Sequence, residues 1–257
     1  MPSSRKGISG MRISLNEITL PTIQGEGVWI GRPSIFVRVQ GCSVRCAQCD
    51  TKKSWEPIGA KPGLGTSMTL GEIQKILQSH PHVDIVITGG EPLDSIHVAG
   101  VAALCYVMKH HDRRIAIETS AMVPTPDLMR LEELTRHVDL WSISPKLSGM
   151  RPTSQATLNI ELLRTITSAC AHRTTQLKFV VDVRHWERDI AEVRSIVRRS
   201  LNWTGPLILQ PMTRPNDGTT AILDAWAKLA KAALATPWLL KLRPQILPQA
   251  HKLVGMV

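Results

Sequence analysis

Short apolar runs alternate with stretches of helical spacing along most of the 257 residues. "SIFVRVQ" (34–40) sets β-branched and aromatic residues in a two-residue rhythm and predicts a strand. The Gly/Pro segment "GAKPGLGTS" (59–67) ends that rhythm as a loop. "TLGEIQKILQSH" (69–80) then spaces its apolar residues three and four apart, predicting a helix capped by Thr69. Strand "VDIVIT" (83–88) follows, then helix 94–110, strand "RIAIET" (114–119), helix 125–136 and strand "DLWSIS" (139–144). Helix 155–170, strand "TQLKFVV" (175–181), helix 186–200, strand "PLILQPM" (206–212), helix 218–234 and strand "WLLKLRP" (238–244) complete the series. Repeated βα units with short connections imply a mainly parallel sheet covered by helices. Several strands carry polar residues at their C-terminal ends ("TGGEP", "ETS", "SPK", "QPM"), which is the ligand-binding edge of barrels and open α/β sheets. No composition break or repeat divides the chain. The prediction is a single barrel-like α/β domain over 12–257, preceded by a short flexible tail, residues 1–11.

Composition changes this picture little. At 43% hydrophobic and 20% charged, the chain is an ordinary globular one, long enough to bury a sizeable core. No run of eighteen apolar residues predicts a membrane span, and "MPSSRKGISGMR" lacks the apolar segment of a secretory leader. The net charge of +10 comes from scattered residues, densest at "KHHDRR" (109–114). With only ten aromatics, none interleaved with the basic residues, a solvated basic face is expected rather than direct nucleic-acid contact.

Chemistry concentrates in "GCSVRCAQCD" (41–50), where three of five cysteines fall within eight positions. An odd, clustered count argues against a disulfide framework and for a reducing cytoplasm. A structural zinc site would need a fourth ligand, and none lies close by. A redox pair of Cys46 and Cys49 would leave Cys42 without a role. Three thiolates holding a [4Fe-4S] cluster would leave one iron open to a substrate or cofactor. Cys105 and Cys170 fall within predicted helices and read as core residues.

The gaps of three and two residues between the cysteines resemble those of radical S-adenosylmethionine enzymes, and "TGGEP" (88–92) is similar to their strand-end motif for the methionine ammonium. Gly89 and Gly90 would let the backbone approach the ligand closely, and Glu91 would supply a charge. The flanks narrow the resemblance. "IQGEGVWIGRPSIFVRVQGC" (23–42), "CDT" (49–51), "SPK" (144–146), "LKFVV" (177–181), "QPM" (210–212) and "QAHKLVG" (249–255) resemble the 7-carboxy-7-deazaguanine synthase family in order along nearly the whole chain. That resemblance implies a partial (β/α) TIM-like barrel of the radical SAM type. It also implies a lyase that contracts the ring of 6-carboxy-5,6,7,8-tetrahydropterin with loss of ammonia, using a [4Fe-4S] cluster, S-adenosylmethionine and Mg²⁺. A flavodoxin-type electron donor and a cytoplasmic homodimer are the expected context, with no direct nucleic-acid or membrane partner.

Carried over residue by residue, the resemblance places Cys42, Cys46 and Cys49 on the cluster and Thr51 on the magnesium ion. Ile23, Gln24, Gly25, Glu26 and Thr88 would line the pterin site, with Arg38 directed at its carboxylate; Glu26 and Arg38 are the catalytic candidates. Gln48, Cys49, Asp50, Gly90, Glu91, Ser144, Pro145, Lys146 and Gln210 to Thr213 (with Pro211 and Met212 between) would meet adenosylmethionine. Gln48 stands where the superfamily usually carries an aromatic, and "ETSA" (118–121) where relatives often carry Asn-Gly after the threonine. Residues 53–68 read as a lid or dimer contact, and His251 as structural or solvated.

Overall fold

The computed structural model describes residues 8–55, 65–126, 128–150, 156–169, 174–200, 203–214 and 216–256. Among these, ten strands form one sheet: β1 (Arg12–Ile18), β2 (Thr22–Ile23), β3 (Pro33–Val39), β4 (Thr66–Thr69), β5 (Asp84–Gly89), β6 (Ile115–Thr119), β7 (Leu140–Ile143), β8 (Thr174–Val181), β9 (Leu207–Pro211) and β10 (Gln245–Ile246). Their order is β10-β9-β8-β7-β6-β5-β3-β1-β4, with β2 beside β3. From β3 to β10 every pairing is parallel, while β1 and β4 add an antiparallel edge. Helices α1 (Leu70–Gln78), α2 (Val98–Lys109), α3 (Leu128–His137), α4 (Ile160–Ala169), α5 (Trp186–Arg199), α6 (Thr219–Leu234), α7 (Pro237–Leu240) and α8 (Ala250–Leu253) make up the rest. None of the described helices is long and apolar enough to cross a membrane.

The two-residue rhythm of the strands sorts side chains onto two faces. Ile35, Val37, Val39, Ile85, Ile87, Ile117, Trp141, Ile143, Leu177 and Phe179 point outward into the main core beneath the helices. The inner face is built in layers. Phe36 pairs with Val86, Val86 with Ala116 and Ala116 with Leu140, so one apolar row crosses four strands. Trp29, on the 3₁₀ turn Gly27–Trp29, packs against this row and closes the barrel's inside from below. Gly27 sits at φ +66, and a Cβ there would stand 2.2 Å from Gln176 Nε2, so the plug enters only as glycine. Two residues further along each strand the inner row becomes polar: Arg38 beside Thr88, then Glu118 beside Ser142, and Ser142 beside Gln176.

Local signals explain most boundaries. Thr69 and Glu72 form a capping box at α1. Helix α4 starts at Ile160 rather than 155 because Asn159 takes the cap, its Oδ1 accepting from Leu162 N at 3.0 Å. Residues 238–240 of the predicted strand 238–244 are instead in helix α7 and 241–242 form a turn: Pro237 supplies the first helical residue, Leu239 turns into the core, and pairing with β9 begins only at Gln245. Strands β1, β2, β4 and β10 were outside the predicted set. Cys105 is fully buried on α2 as expected, whereas Cys170 and residues 56–64 lie outside the described residues.

Candidate active site

The cysteine loop leaves β3 at Gly41, whose φ of +118 turns the chain over the sheet rim. Gly41 N donates to Ser54 O at 2.7 Å, Glu91 N to Gly41 O at 2.9 Å, and Gly90 N to Val39 O at 2.9 Å. A Cβ on Gly90 would stand 1.6 Å from Gly41 O, and one on Gly89 (φ +112) 2.4 Å from Arg38 Cγ. The sequence reading gave these glycines to ligand approach. Their first consequence is that the end of β5 lies directly against the end of β3 and the root of the loop. Further along, Asp94 accepts from Ser43 N at 2.9 Å and Ser43 Oγ at 2.6 Å, and Ala47 N reaches Met150 O at 2.7 Å.

This frame gathers the thiols on a small apolar patch of Val44, Met122 and Ala156, with Cys46 buried and Cys42 and Cys49 half-buried. Burial pushes the Cys42 thiol up to about 12 and raises that of Cys46 too. Such groups become thiolates readily only beside a strong cationic partner, as a thiophilic metal centre would be. Among the described residues no three of His, Cys, Asp and Glu converge as ligands of one metal ion, and three thiolates that each take a different iron need no such convergence. Gln48 and Asp50 are exposed on the loop's outer turn.

Glu91 is 2% exposed. Thr119 Oγ1 and Leu93 N donate to Oε1 at 2.6 and 3.2 Å, while Ser120 Oγ and N donate to Oε2 at 2.6 and 2.9 Å. Burial raises its pKa in spite of these donors. The carboxyl thus joins the ends of β5 and β6, and "ETS" is the partner of "GGE". On the next strand Ser144 N donates to Thr119 O at 2.8 Å, and Lys146 Nζ donates to Ser144 Oγ at 3.3 Å. The Lys146 charge acts on Cys46, which puts "SPK" beside the thiols.

The inner polar row faces this loop. Thr88 Oγ1 donates to Glu118 Oε2 at 2.8 Å and Gln24 Nε2 to Glu118 Oε1 at 3.1 Å; Gln24 Oε1 accepts from Glu26 N at 3.1 Å. Arg38 Nε donates to Glu17 Oε1 at 3.0 Å, and its Nη1 lies 3.5 Å from Thr51 Oγ1, which itself donates to Asp50 Oδ1 at 3.0 Å. Glu26 collects Lys178 Nζ on Oε2, and Gln249 Nε2 and Gln210 Nε2 on Oε1 at 2.6 and 3.1 Å. Burial alone would raise the Glu26 pKa, but the Lys178 ammonium, Gln249 and His251 outweigh it and hold the carboxyl below its ordinary range. Gln210 is 1% exposed, and among the described residues its Oε1 has no hydrogen-bond donor. Thr213 Oγ1 donates to Gln249 Oε1, and Ala250 N to Gly25 O at 2.9 Å. The His251 ring fills the space over Gly25, where a Cβ would stand 1.8 Å from Nδ1. The histidine read as structural or solvated is therefore part of this wall.

The structure brings Gln24, Gly25, Glu26, Arg38, Thr88, Gln210 and Thr213 together, with Thr51 beside Arg38; Ile23 pairs with Pro33 at the edge. Lys178, Glu118, Ser142, Gln176 and Gln249 belong to the same network and were given no role from sequence. For Lys178 a signal existed: it stands between outward-facing Leu177 and Phe179, so the strand alternation turns a charge inward.

A family model described as a 4Fe-4S single cluster domain matches residues 23–155. The 7-carboxy-7-deazaguanine synthase of Halobacterium salinarum is 33% identical over 239 residues, covering 85% of this chain and 83% of that protein. That of Hyperthermus butylicus is 30% identical over 249 residues, covering 95% and 96%. The crystal structure of QueE from Escherichia coli superposes with a TM-score of 0.61 over 91% of this chain and 95% of its own, at 24% identity, and shares the fold, a partial barrel. With two such relatives matched over most of their length, this chain belongs to the 7-carboxy-7-deazaguanine synthase family.

Proposed function

We propose that this protein converts 6-carboxy-5,6,7,8-tetrahydropterin into 7-carboxy-7-deazaguanine with release of ammonia. The reading is carried by one juxtaposition: the inner row Arg38–Thr88–Glu118 opens beside the three-cysteine loop, so a planar polar substrate can lie against the cofactor. When bound, the cluster and adenosylmethionine supply one-electron cleavage of the sulfonium and a hydrogen-abstracting radical.

The chain's own residues bind, orient and exclude water. The Arg38 guanidinium is fixed at Nε by Glu17, and its Nη groups, with Nη1 in a long 3.5 Å contact to Thr51 Oγ1, would meet a carboxylate. Glu118 carries one protein donor on each oxygen and retains acceptor capacity for the pterin's N–H edge. Glu26, with three protein donors already in place, shapes the wall behind Gln24 more than it reads the ring. Thr51, with Asp50 at hydrogen-bonding distance, offers oxygens to a magnesium ion whose remaining positions substrate and water would fill. Gln48, Cys49, Asp50, Gly90, Glu91, Ser144, Pro145, Lys146 and residues 210–213 would surround adenosylmethionine. A flavodoxin-type donor, a cytosolic location and a homodimer complete the reading.

The test is anaerobic turnover of reconstituted enzyme with the carboxytetrahydropterin, adenosylmethionine, Mg²⁺ and a reductant. Formation of 7-carboxy-7-deazaguanine with one ammonia per turnover is expected, with adenosylmethionine regenerated. An enzyme that cleaves adenosylmethionine yet leaves the pterin untouched would have another substrate.

A further inference from the structure

Lys178 is a buried ammonium on the inner face of β8, its side chain 8% exposed, against a Glu26 carboxylate 13% exposed. The charges facing the pair come from several segments: Glu118 on β6 and Asp50 on the cysteine loop face Lys178, and His251 on α8 faces Glu26. Gln210 from β9 and Gln249 from the residue before α8 donate to the same carboxylate. From Glu26 the bonding continues without a break: Glu26 N holds Gln24 Oε1, Gln24 Nε2 holds Glu118, and Glu118 accepts from Thr88. Gln24 is held by the Glu26 backbone N–H while Lys178 holds the carboxylate of the same residue, so an anchored Glu26 side chain keeps that N–H, and with it the Gln24 amide and the Glu118 acceptor, in place.

We propose that Lys178 is a positioning residue for the substrate pocket: its ammonium fixes the Glu26 carboxylate, and through Glu26 and Gln24 it sets where Glu118 presents its oxygens. This rests on the pterin reading for its consequence, though not for the linkage itself. A buried carboxylate that loses its ammonium partner is strongly disfavoured, whereas a pair made neutral together is tolerated. Burial then dominates at Glu26, and its proton affinity rises. The sign follows. In Lys178→Met a carboxyl with a raised folded-state pKa stabilises the fold below its unfolded pKa and loses that contribution as pH rises through the folded value. Wild-type Glu26, held low, stays ionised from pH 6 to 9 and adds no slope there.

The experiment compares wild type, Lys178→Met, Lys178→Arg, Glu26→Gln and the double variant Lys178→Met/Glu26→Gln as reconstituted enzymes from pH 6 to 9. It records Tm without substrate, fluorescence titration with 6-carboxypterin in the presence of adenosylmethionine and Mg²⁺, and kcat and KM. In Lys178→Met, Tm and probe affinity should fall relative to wild type as pH rises, and kcat/KM at pH 8 should drop on the order of 100-fold, mostly through KM. Lys178→Arg should keep the flat profile. The double variant should also be flat and recover about tenfold or more of the lost probe affinity, the non-additivity expected of residues that act through one another. If Lys178→Met does not fold, a double variant that folds and binds the probe gives the same support. A pH-independent loss that Glu26→Gln does not relieve, or a Lys178→Met enzyme equal to wild type, would overturn the proposal. Wild-type turnover is measured alongside: its absence would count against the pterin reading, while the Tm slopes read the linkage without substrate.

Discussion

At the cysteine-loop wall Gly41, Gly89 and Gly90 set backbone against backbone, with Asp94 and Glu91 tying down the neighbouring turns. Across the barrel mouth, Glu26 gathers Lys178, Gln210 and Gln249 through side chains alone. The first wall is stiff because atoms have nowhere to go; a single methyl on Gly90 would collide with a carbonyl. The second is held by charge and direction, through side chains brought from separate elements. A cluster needs fixed ligand positions and tolerates little movement, whereas a polar substrate needs donors and acceptors aimed at it. Damage to the first wall should therefore take the cofactor with it, and damage at the substrate-facing Arg38 should leave cofactor chemistry running without its substrate.

The sharpest break of that contrast is at the thiols. Alanine at Cys42, Cys46 or Cys49 should remove most iron and all cleavage of adenosylmethionine, while alanine at buried Cys105 should cost stability and keep the iron; iron and sulfide analysis of anaerobic preparations decides. Next comes Gly90→Ala, whose Cβ would stand 1.6 Å from Gly41 O. It should destabilise by about 3 kcal/mol or more and lower iron retention, read by thermal melting and iron content. On the other wall, Arg38→Lys should lower kcat/KM by roughly thirty- to a thousand-fold, an effect of about 2–4 kcal/mol, because an ammonium cannot make two parallel bonds to a carboxylate. Its iron content should match wild type.

Thr51→Ala should blunt the dependence of turnover on Mg²⁺ and leave iron intact, seen by titrating the metal into chelator-treated enzyme. The mildest is Asp94→Asn, which weakens the two bonds from Ser43 and should cost about 1 kcal/mol in thermal stability with turnover nearly unchanged.

The two walls also differed in how far the sequence disclosed them. The cysteine loop, the strand before it and the "GGE" turn are contiguous, and their chemistry lies in residue types at short spacing. The second wall is assembled by register. Gln24 meets Glu118 94 residues away, and Glu26 meets Lys178, Gln210 and Gln249 at separations of 152, 184 and 223. No local pattern announces such partners. Only the alternation around Lys178 hinted that a charge enters the barrel, and the family resemblance supplied Gln24, Glu26 and Arg38 without their protein partners. The same holds for the fold. The parallel strands carried continuous apolar runs and were readable, but β4 is exposed on half of its short length, and "WLLKLRP" carries apolar residues that suit a helix begun by Pro237 as well as a strand. Glu17 is a further case: nothing around it in sequence points to Arg38 and Lys53, which it joins across the antiparallel edge.

The measurement that bears most directly on the separation of the two walls is the ratio of 7-carboxy-7-deazaguanine to 5′-deoxyadenosine formed by Arg38→Ala under anaerobic, reducing conditions. The variant should retain its iron and its substrate-free cleavage of adenosylmethionine, with ring contraction reduced by at least roughly thirty-fold. Loss of iron and cleavage together with ring contraction would contradict the account, as would unimpaired ring contraction.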